Sequence, residues 1–282
     1  ERPALPVEEL LRWMMQPQAA WLRHRRLHPG EGAEPVRDLD DLELDPLQRH
    51  GLLEESLDRH LLGRDRPDWC RDLVGRGVLP AAAGAALEQQ ELLERWTALA
   101  AQIEPFGPCR RELRQLAGAA VSLLFAGDTQ VVVQVGRPGA RGVMRAWLQH
   151  LLLCAVDDPP AGSGVVGRSS TKAGAELLLL WDPLSVEDAQ TILNDLQRLA
   201  QQGLSQCWPV PPKSGWQMVW QDQRKLGSGD QAFRQTWLDE RDSAAMQLCF
   251  GVESDPALLL QAPGFENASR QLYEPILRAR RA

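Results

Sequence analysis

The chain has 282 residues, of which 44% are hydrophobic and 24% are charged, a composition typical of a globular protein with a sizeable core. No apolar run approaches the roughly 18 residues that a membrane-spanning helix needs. The formal charge of -7 has the wrong sign for a protein that holds nucleic acid through its overall field. Any contact with DNA must therefore be local or shared with a partner.

The five cysteines are scattered singly along the chain. No two of them have the spacing of a zinc knuckle or a redox motif, and the N-terminus lacks a basic and then apolar export signal. We therefore expect reduced thiols, no bound metal, no cofactor and a cytoplasmic protein.

The first hundred residues are predicted to be helical. Apolar residues recur at helical spacing near the N-terminus, where Pro17 interrupts the pattern. Asp45 and Pro46 form a helix start, with a capping residue followed by a first-turn proline. The predicted helices are 5–27 with its break at Pro17, 45–62, a short helix around Trp69, and 80–103.

The pattern changes near residue 118. Apolar and β-branched runs flank the turn at 127–129 and predict a β-hairpin. The predicted segments are strands 119–125 and 130–135, a helix over 142–156, strands 165–168 and 176–181, a helix over 185–203, and helical patches over 230–238 and 267–281. This order predicts an α/β fold with a helical region in front of it. We place a helical lead-in at 1–115 and an α/β domain at 116–282.

The segment Gly162–Ser169 matches a dinucleotide fingerprint, and also a phosphate loop with Arg168 in place of the lysine. Both sites need a buried strand before the loop and a helix after it, so that backbone amides can face the phosphate. A Pro/Asp-rich stretch precedes the segment and a Ser/Gly-rich stretch follows it. The sequence therefore predicts a flexible loop here rather than a nucleotide site.

Two groups of arginines are candidate contacts for DNA or a partner protein. One is the basic run that holds Arg23, Arg25 and Arg26. In the other, Arg137, Arg141 and Arg145 recur every four residues around a predicted helix start and could form one stripe of guanidinium groups. The alternative in both cases is a solvated basic face.

Ten tryptophans accompany a single tyrosine. Trp208, Trp216 and Trp220 flank a proline-rich segment and could form a platform for bases or an anchor for a protein partner. Packing in the core is the favoured interpretation of these residues.

The opening stretch Val7–Arg25 resembles the start of the C-terminal domain of RecC, the gamma subunit of exodeoxyribonuclease V. In that family a helix leads through a proline-containing break to a second helix that is aromatic and basic. Three further matches follow in the same order and at similar spacing. They are Leu42–Asp45 with Gln48–Leu53, Gly77–Pro80 with Gly84, and Trp147–Leu151 with Cys154 and Ala155. The resemblance spans roughly residues 5 to 220.

The resemblance implies a restriction-endonuclease-like core of the PD-(D/E)XK class that has lost its catalytic residues. It also implies partners, namely a RecB-like helicase-nuclease and a RecD-like helicase, with DNA bound as part of the complex. The family helps to split duplex DNA and takes part in Chi recognition during double-strand break repair by homologous recombination.

The chemistry of that class can be checked directly in the sequence. It requires an Asp on one strand and an (Asp/Glu)-x-Lys on the next, where the acids hold magnesium and the lysine polarises the attacking water. The hairpin strand at 131–136 contains no acid. The residues two positions before Lys172, Lys213 and Lys225 are Ser170, Pro211 and Gln223, and the best matches to the Gln and Tyr of active relatives are Met144 and Leu148. The sequence therefore predicts no catalytic residue and no metal site.

Two alternatives remain open at this point. An active nuclease with a rearranged site would use Asp128, Glu176 and Asp182. An unrelated protein-interaction scaffold would use the tryptophan-rich segment as its binding surface.

Overall fold

The computed structural model describes residues 3–29, 46–62, 69–79, 83–156, 159–169 and 174–281. The helices are α1 (Val7–Met15), α2 (Pro17–His24), α3 (Pro46–Leu61), α4 (Trp69–Gly75), α5 (Ala83–Ile103), α6 (Ala140–Cys154), α7 (Val186–Ser205), α8 (Pro212–Arg224), α9 (Gly229–Glu240), α10 (Ala244–Phe250), α11 (Pro256–Leu260) and α12 (Phe265–Arg278). The strands are β1 (Cys109–Leu116), β2 (Ala119–Ala126), β3 (Thr129–Gln134), β4 (Gly162–Arg168) and β5 (Ala175–Trp181).

The strands form one mixed sheet in the order β1-β2-β3-β4-β5. The first three strands are an antiparallel meander, β4 runs parallel to β3, and β5 is antiparallel to β4. A parallel pair needs a long crossover connection, and α6 supplies it. The carboxyl ends of β3 and β4 therefore lie at the same edge of the sheet, which we call the β3/β4 edge.

Helices cover both faces of the sheet. Neighbouring side chains on a strand point to opposite faces, and in β4 Val165 packs into a cluster with α6 whereas Val166 packs into a cluster with α5. The α6 cluster also contains residues of α1, α7, α8 and α12. The protein therefore has a layered α/β architecture, which confirms the predicted mixed α/β class.

Local signals explain several element boundaries. The helical lead-in breaks at Pro17 as predicted, because Gln16 leaves the helical conformation and Pro17 then begins α2. Helix α7 begins after Ser185, whose hydroxyl accepts a hydrogen bond of 3.0 Å from the backbone N–H of Asp188. Helix α8 begins beside the buried carboxylate of Glu240, which accepts hydrogen bonds of 2.8 Å from the backbone N–H groups of Lys213 and Ser214.

Two parts of the sheet differ from the sequence prediction. Strand β1 was not predicted, and it brings the start of the sheet to Cys109. The predicted flexible loop at Gly162–Ser169 is wrong, because the strand predicted over 165–168 begins earlier, at Gly162, and β4 pairs with both β3 and β5. The division of the chain at residue 115 stays a prediction.

None of the helices in the described part of the chain combines the length and the apolar character that a membrane crossing requires.

Candidate nucleic-acid interface

The hairpin strands that would hold a nuclease site carry no carboxylate and no lysine. The polar side chains of β3 that face α6 are amides. Gln130 is buried and donates a hydrogen bond of 3.0 Å from its amide to Oε1 of Gln149. The amide of Gln134 lies against Gly142 and occupies the space that a Cβ there would need. Neutral amides bring no charge to a divalent ion and are weak ligands for magnesium.

The remaining positions of a nuclease site offer no catalytic group beside this hairpin. Met144 and Leu148 of α6 are fully buried core residues. Lys213 and Lys225 lie at the two ends of α8, while Lys172 lies outside the described residues. Among the described residues, no three His, Cys, Asp or Glu side chains are grouped closely enough to hold a metal ion.

The three acids of the alternative nuclease site do not come together. Glu176 pairs with Gly167 at the β3/β4 edge. Asp182 follows Trp181 at the other end of β5, where its carboxylate forms an ion pair with Arg281. Six residues of extended strand span about 20 Å, so Glu176 and Asp182 cannot share an ion. Asp128 lies in the β2–β3 turn and is exposed.

The N-terminal arginines have different surroundings. Arg25 stacks on the ring of Trp21 at 4.1 Å, and it donates hydrogen bonds of 3.0 and 2.7 Å to the carbonyl oxygens of Leu204 and Ser205 at the end of α7. This contact satisfies terminal carbonyl groups of a helix, which is a structural role. Arg23 and Arg26 are exposed.

The second group of arginines lies along the β3/β4 edge. Arg137 lies in the loop between β3 and α6, and Arg141 and Arg145 lie one turn apart on α6. All three side chains are exposed. The segment 129–156, which forms β3 and α6, contains no Asp or Glu. This edge is therefore locally basic although the whole chain is acidic.

Arg168 extends this basic edge and was not among the predicted site residues. It is the last residue of β4, and its backbone N–H donates a hydrogen bond of 3.0 Å to the carbonyl oxygen of Gly136. It therefore lies next to Arg137. The one sequence signal was its place in the rejected phosphate-loop pattern, but that segment forms β4, and the next described element is strand β5.

The tryptophan-rich segment is not a surface platform. Trp208 and Trp216 are buried, and Trp208 contacts Trp13 edge-on with ring centroids 5.2 Å apart. Trp220 is partly buried and stacks on Trp216 at 5.6 Å. The predicted packing role is confirmed, and the alternative of a scaffold with this segment as its surface loses its support.

His150 is a core residue. It is fully buried between Trp147 and Trp181, and its Nδ1 lies 3.0 Å from the hydroxyl of Ser163. Burial lowers the pKa of His150 to about 4, because the low-dielectric core disfavours the imidazolium. The ring is therefore neutral at physiological pH.

Comparison with known proteins adds a family to this geometry. The family model described as the RecC C-terminal domain matches residues 3–223. That range extends from α1 through the whole sheet to α8. No curated protein matches the chain.

Proposed function

The chain belongs to the RecC C-terminal domain family, and from that premise we propose that it acts by binding, within a RecBCD-type helicase–nuclease complex, and not by cutting DNA. The observation that carries this proposal is the absence of any carboxylate or lysine from β2 and β3. Two-metal or one-metal cleavage of DNA needs acids at fixed positions on such strands.

We propose further that the core is a restriction-endonuclease-like core of the PD-(D/E)XK class. Its support is the sequence of elements, in which an antiparallel three-stranded meander is followed by a crossover helix and a fourth strand parallel to the third. Helices α5 and α6 lie on opposite faces of that sheet. The chain would thus keep the frame of a nuclease and lack its chemistry.

In this proposal the partners are a RecB-like and a RecD-like subunit, and DNA is bound as part of the complex. Nucleotide hydrolysis and strand cleavage belong to those partners, and the complex acts in double-strand break repair in the cytoplasm. The exposed arginines Arg23, Arg26, Arg137, Arg141 and Arg145 are the candidate contacts. Arg25 is left out because its guanidinium already binds the end of α7.

Incubation of the purified chain with single-stranded DNA and either magnesium or manganese tests the absence of catalysis. We expect no cleavage above that of the Asp182→Ala variant. Cleavage that Asp182→Ala abolishes would instead establish the rearranged nuclease.

Co-expression of the tagged chain with the RecB-like and RecD-like subunits tests the binding role. We expect both subunits to be retained on the affinity column and to elute together. An untagged chain is the control for non-specific retention, and a tagged chain that retains neither subunit contradicts the proposal.

A further inference from the structure

The side chain of Arg168 has no counter-charge in the described structure. Val166 belongs to the cluster packed against α5, and residues two apart on a strand share a face, so Arg168 points toward α5. The side chain is partly buried, and its Nε is inaccessible to solvent without a hydrogen-bond partner. Among the described residues, no carboxylate forms an ion pair with Arg168.

The charges around Arg168 do not compensate it. Burial and the nearby guanidinium groups of Arg95 and Arg137 lower the pKa of Arg168, and the charge of Glu91 opposes this shift without reversing it. Glu91 is itself paired, since Arg95 lies 2.7 Å from it, and Arg49 of the same network lies 2.5 Å from Glu88. This network of two arginines and two glutamates is neutral as a whole. Arg168 therefore lies beside like charges.

A partly buried guanidinium is usually paired, because removing its charge from water is costly unless an anion compensates it. The surroundings of Arg168 are the reverse of this pattern. An anion that binds at the β3/β4 edge would supply both the missing charge and acceptors for the planar donors of the guanidinium.

The layout of the edge favours phosphate groups of a polymer over a single carboxylate. Arg137 lies next to Arg168 in the loop that leads from β3 to α6. Arg141 and Arg145 lie one helical turn apart on α6, which covers the opposite face of the sheet from α5. The segment 129–156 contains no acid, so the three arginines of the loop and of α6 outnumber Glu176, an exposed acid at this edge that pairs with Gly167. A nucleic-acid backbone offers regularly repeated phosphates to such a row.

We propose that Arg168, with Arg137 beside it, anchors one phosphodiester group of a nucleic-acid strand that passes around the β3/β4 edge, so that its neighbouring phosphates reach Arg141 and Arg145 on α6. This deepens the proposed function, since it names the ligand group and the surface that takes it. It can fail while assembly with the partner subunits still holds, because the affinity-column experiment does not depend on this edge.

Fluorescence anisotropy with a labelled single-stranded oligodeoxynucleotide tests the site. The full chain is titrated at several salt concentrations, as wild type and as Arg168→Gln. We expect Arg168→Gln to weaken binding about tenfold. The slope of log K against log salt should also fall by about 0.7, which corresponds to one phosphate contact.

Arg234→Gln is the matched control, because Arg234 is exposed on α9, far along the chain from this edge. This variant should leave both the affinity and the salt slope unchanged.

A melting curve separates loss of the site from loss of the fold. Because Arg168→Gln removes repulsion among like charges, its melting temperature should be equal to or above that of the wild type. If Arg168→Gln does not fold, the same titrations are carried out on Arg168→Lys. It keeps the charge and loses the planar fork, so it should weaken binding while the salt slope stays constant.

Three results would overturn the proposal. The first is wild-type affinity for the oligonucleotide in Arg168→Gln, or in Arg168→Lys where only that variant folds. The second is a variant at Arg168 that loses binding to poly-glutamate but keeps its binding to DNA. This result would identify an acidic protein segment as the ligand. The third is thermal stabilisation by pyrophosphate with no binding of the oligonucleotide, which would restrict the site to free phosphates.

Discussion

The protonation of His150 is linked to folding. Its pKa of about 4 in the folded chain is below the value of roughly 6.5 for an unfolded histidine. The unfolded state therefore binds a proton first as the pH falls. The stability contributed by the neutral ring is complete above pH ~6.5 and is lost as the pH falls to about 4.

We expect the free energy of unfolding to fall by about 3 kcal/mol across that pH range because of His150. Urea denaturation at a series of pH values measures this. His150→Gln should flatten the dependence, whereas His28→Gln should not, since His28 is exposed. An unchanged slope in His150→Gln contradicts the assignment.

The thiol of Cys207 is expected to be the most reactive among the described cysteines. The interaction with the Cys249 thiol, and then the nearby charge of Arg25, lower the pKa of Cys207 against the opposing effect of burial, and the same interaction raises the pKa of Cys249. Burial raises the pKa of Cys109 and Cys154. A lower pKa means more thiolate at neutral pH. Mass spectrometry after brief treatment with iodoacetamide should therefore find Cys207 labelled first, and Cys249→Ala should slow that labelling.

At the scale of elements, α1 and α7 approach so closely that one position of α7 has no room for a side chain. A Cβ at Gly203 would lie 2.4 Å from Nε1 of Trp13. Gly203→Ala should therefore cost about 1–3 kcal/mol through overpacking. Gly51 of α3 has no atom within 4 Å of the same position, so Gly51→Ala should stabilise the helix by about 1 kcal/mol. Urea denaturation measures both free energies of unfolding, and equal changes in Gly203→Ala and Gly51→Ala would contradict this prediction.

Elements with local signals could be predicted from the sequence. The break at Pro17, the hairpin turn and the capped start of α7 each depend on a few neighbouring residues. Strand β1 could not be predicted from the sequence, because burial along the strand does not follow the positions of its apolar residues. It is an edge strand whose Leu113 is exposed, and its pairing with β2 defines it.

The start of β4 could not be predicted for a different reason. Its glycines have the composition of a loop, but each lies where the sheet leaves little space. A Cβ at Gly162 would lie 2.9 Å from the carbonyl oxygen of Trp181, and one at Gly167 would lie 2.3 Å from Pro138.

Arg168 was missed for a related reason, because its missing counter-charge becomes visible only once α3, α5 and the β3–α6 loop surround it. The grouping of Arg137, Arg141 and Arg145 could be predicted from the sequence, because their four-residue spacing is that of a helix.

At the scale of the whole molecule, charge is distributed unevenly. The chain carries a formal charge of -7, yet the segment 129–156 has three arginines and no acid. Replacing Arg137, Arg141 and Arg145 together by glutamine should lower the salt slope of binding to single-stranded DNA by about 2. Replacing Arg23 and Arg26 by glutamine is the comparison, and a larger effect there would move the interface to the N-terminal helices.

The two outer strands of the sheet are protected in different ways. Strand β1 carries Arg110, Arg111, Glu112 and Arg114, and charged side chains discourage a foreign strand from pairing with an exposed edge. Beside β5, Arg280 forms an antiparallel bridge with Trp181, and the backbone N–H of Arg281 donates a hydrogen bond of 2.8 Å to the carbonyl oxygen of Leu180. A chain shortened before Arg280 would leave that backbone open to strand addition, and oligomers or aggregates that grow with concentration would reveal it.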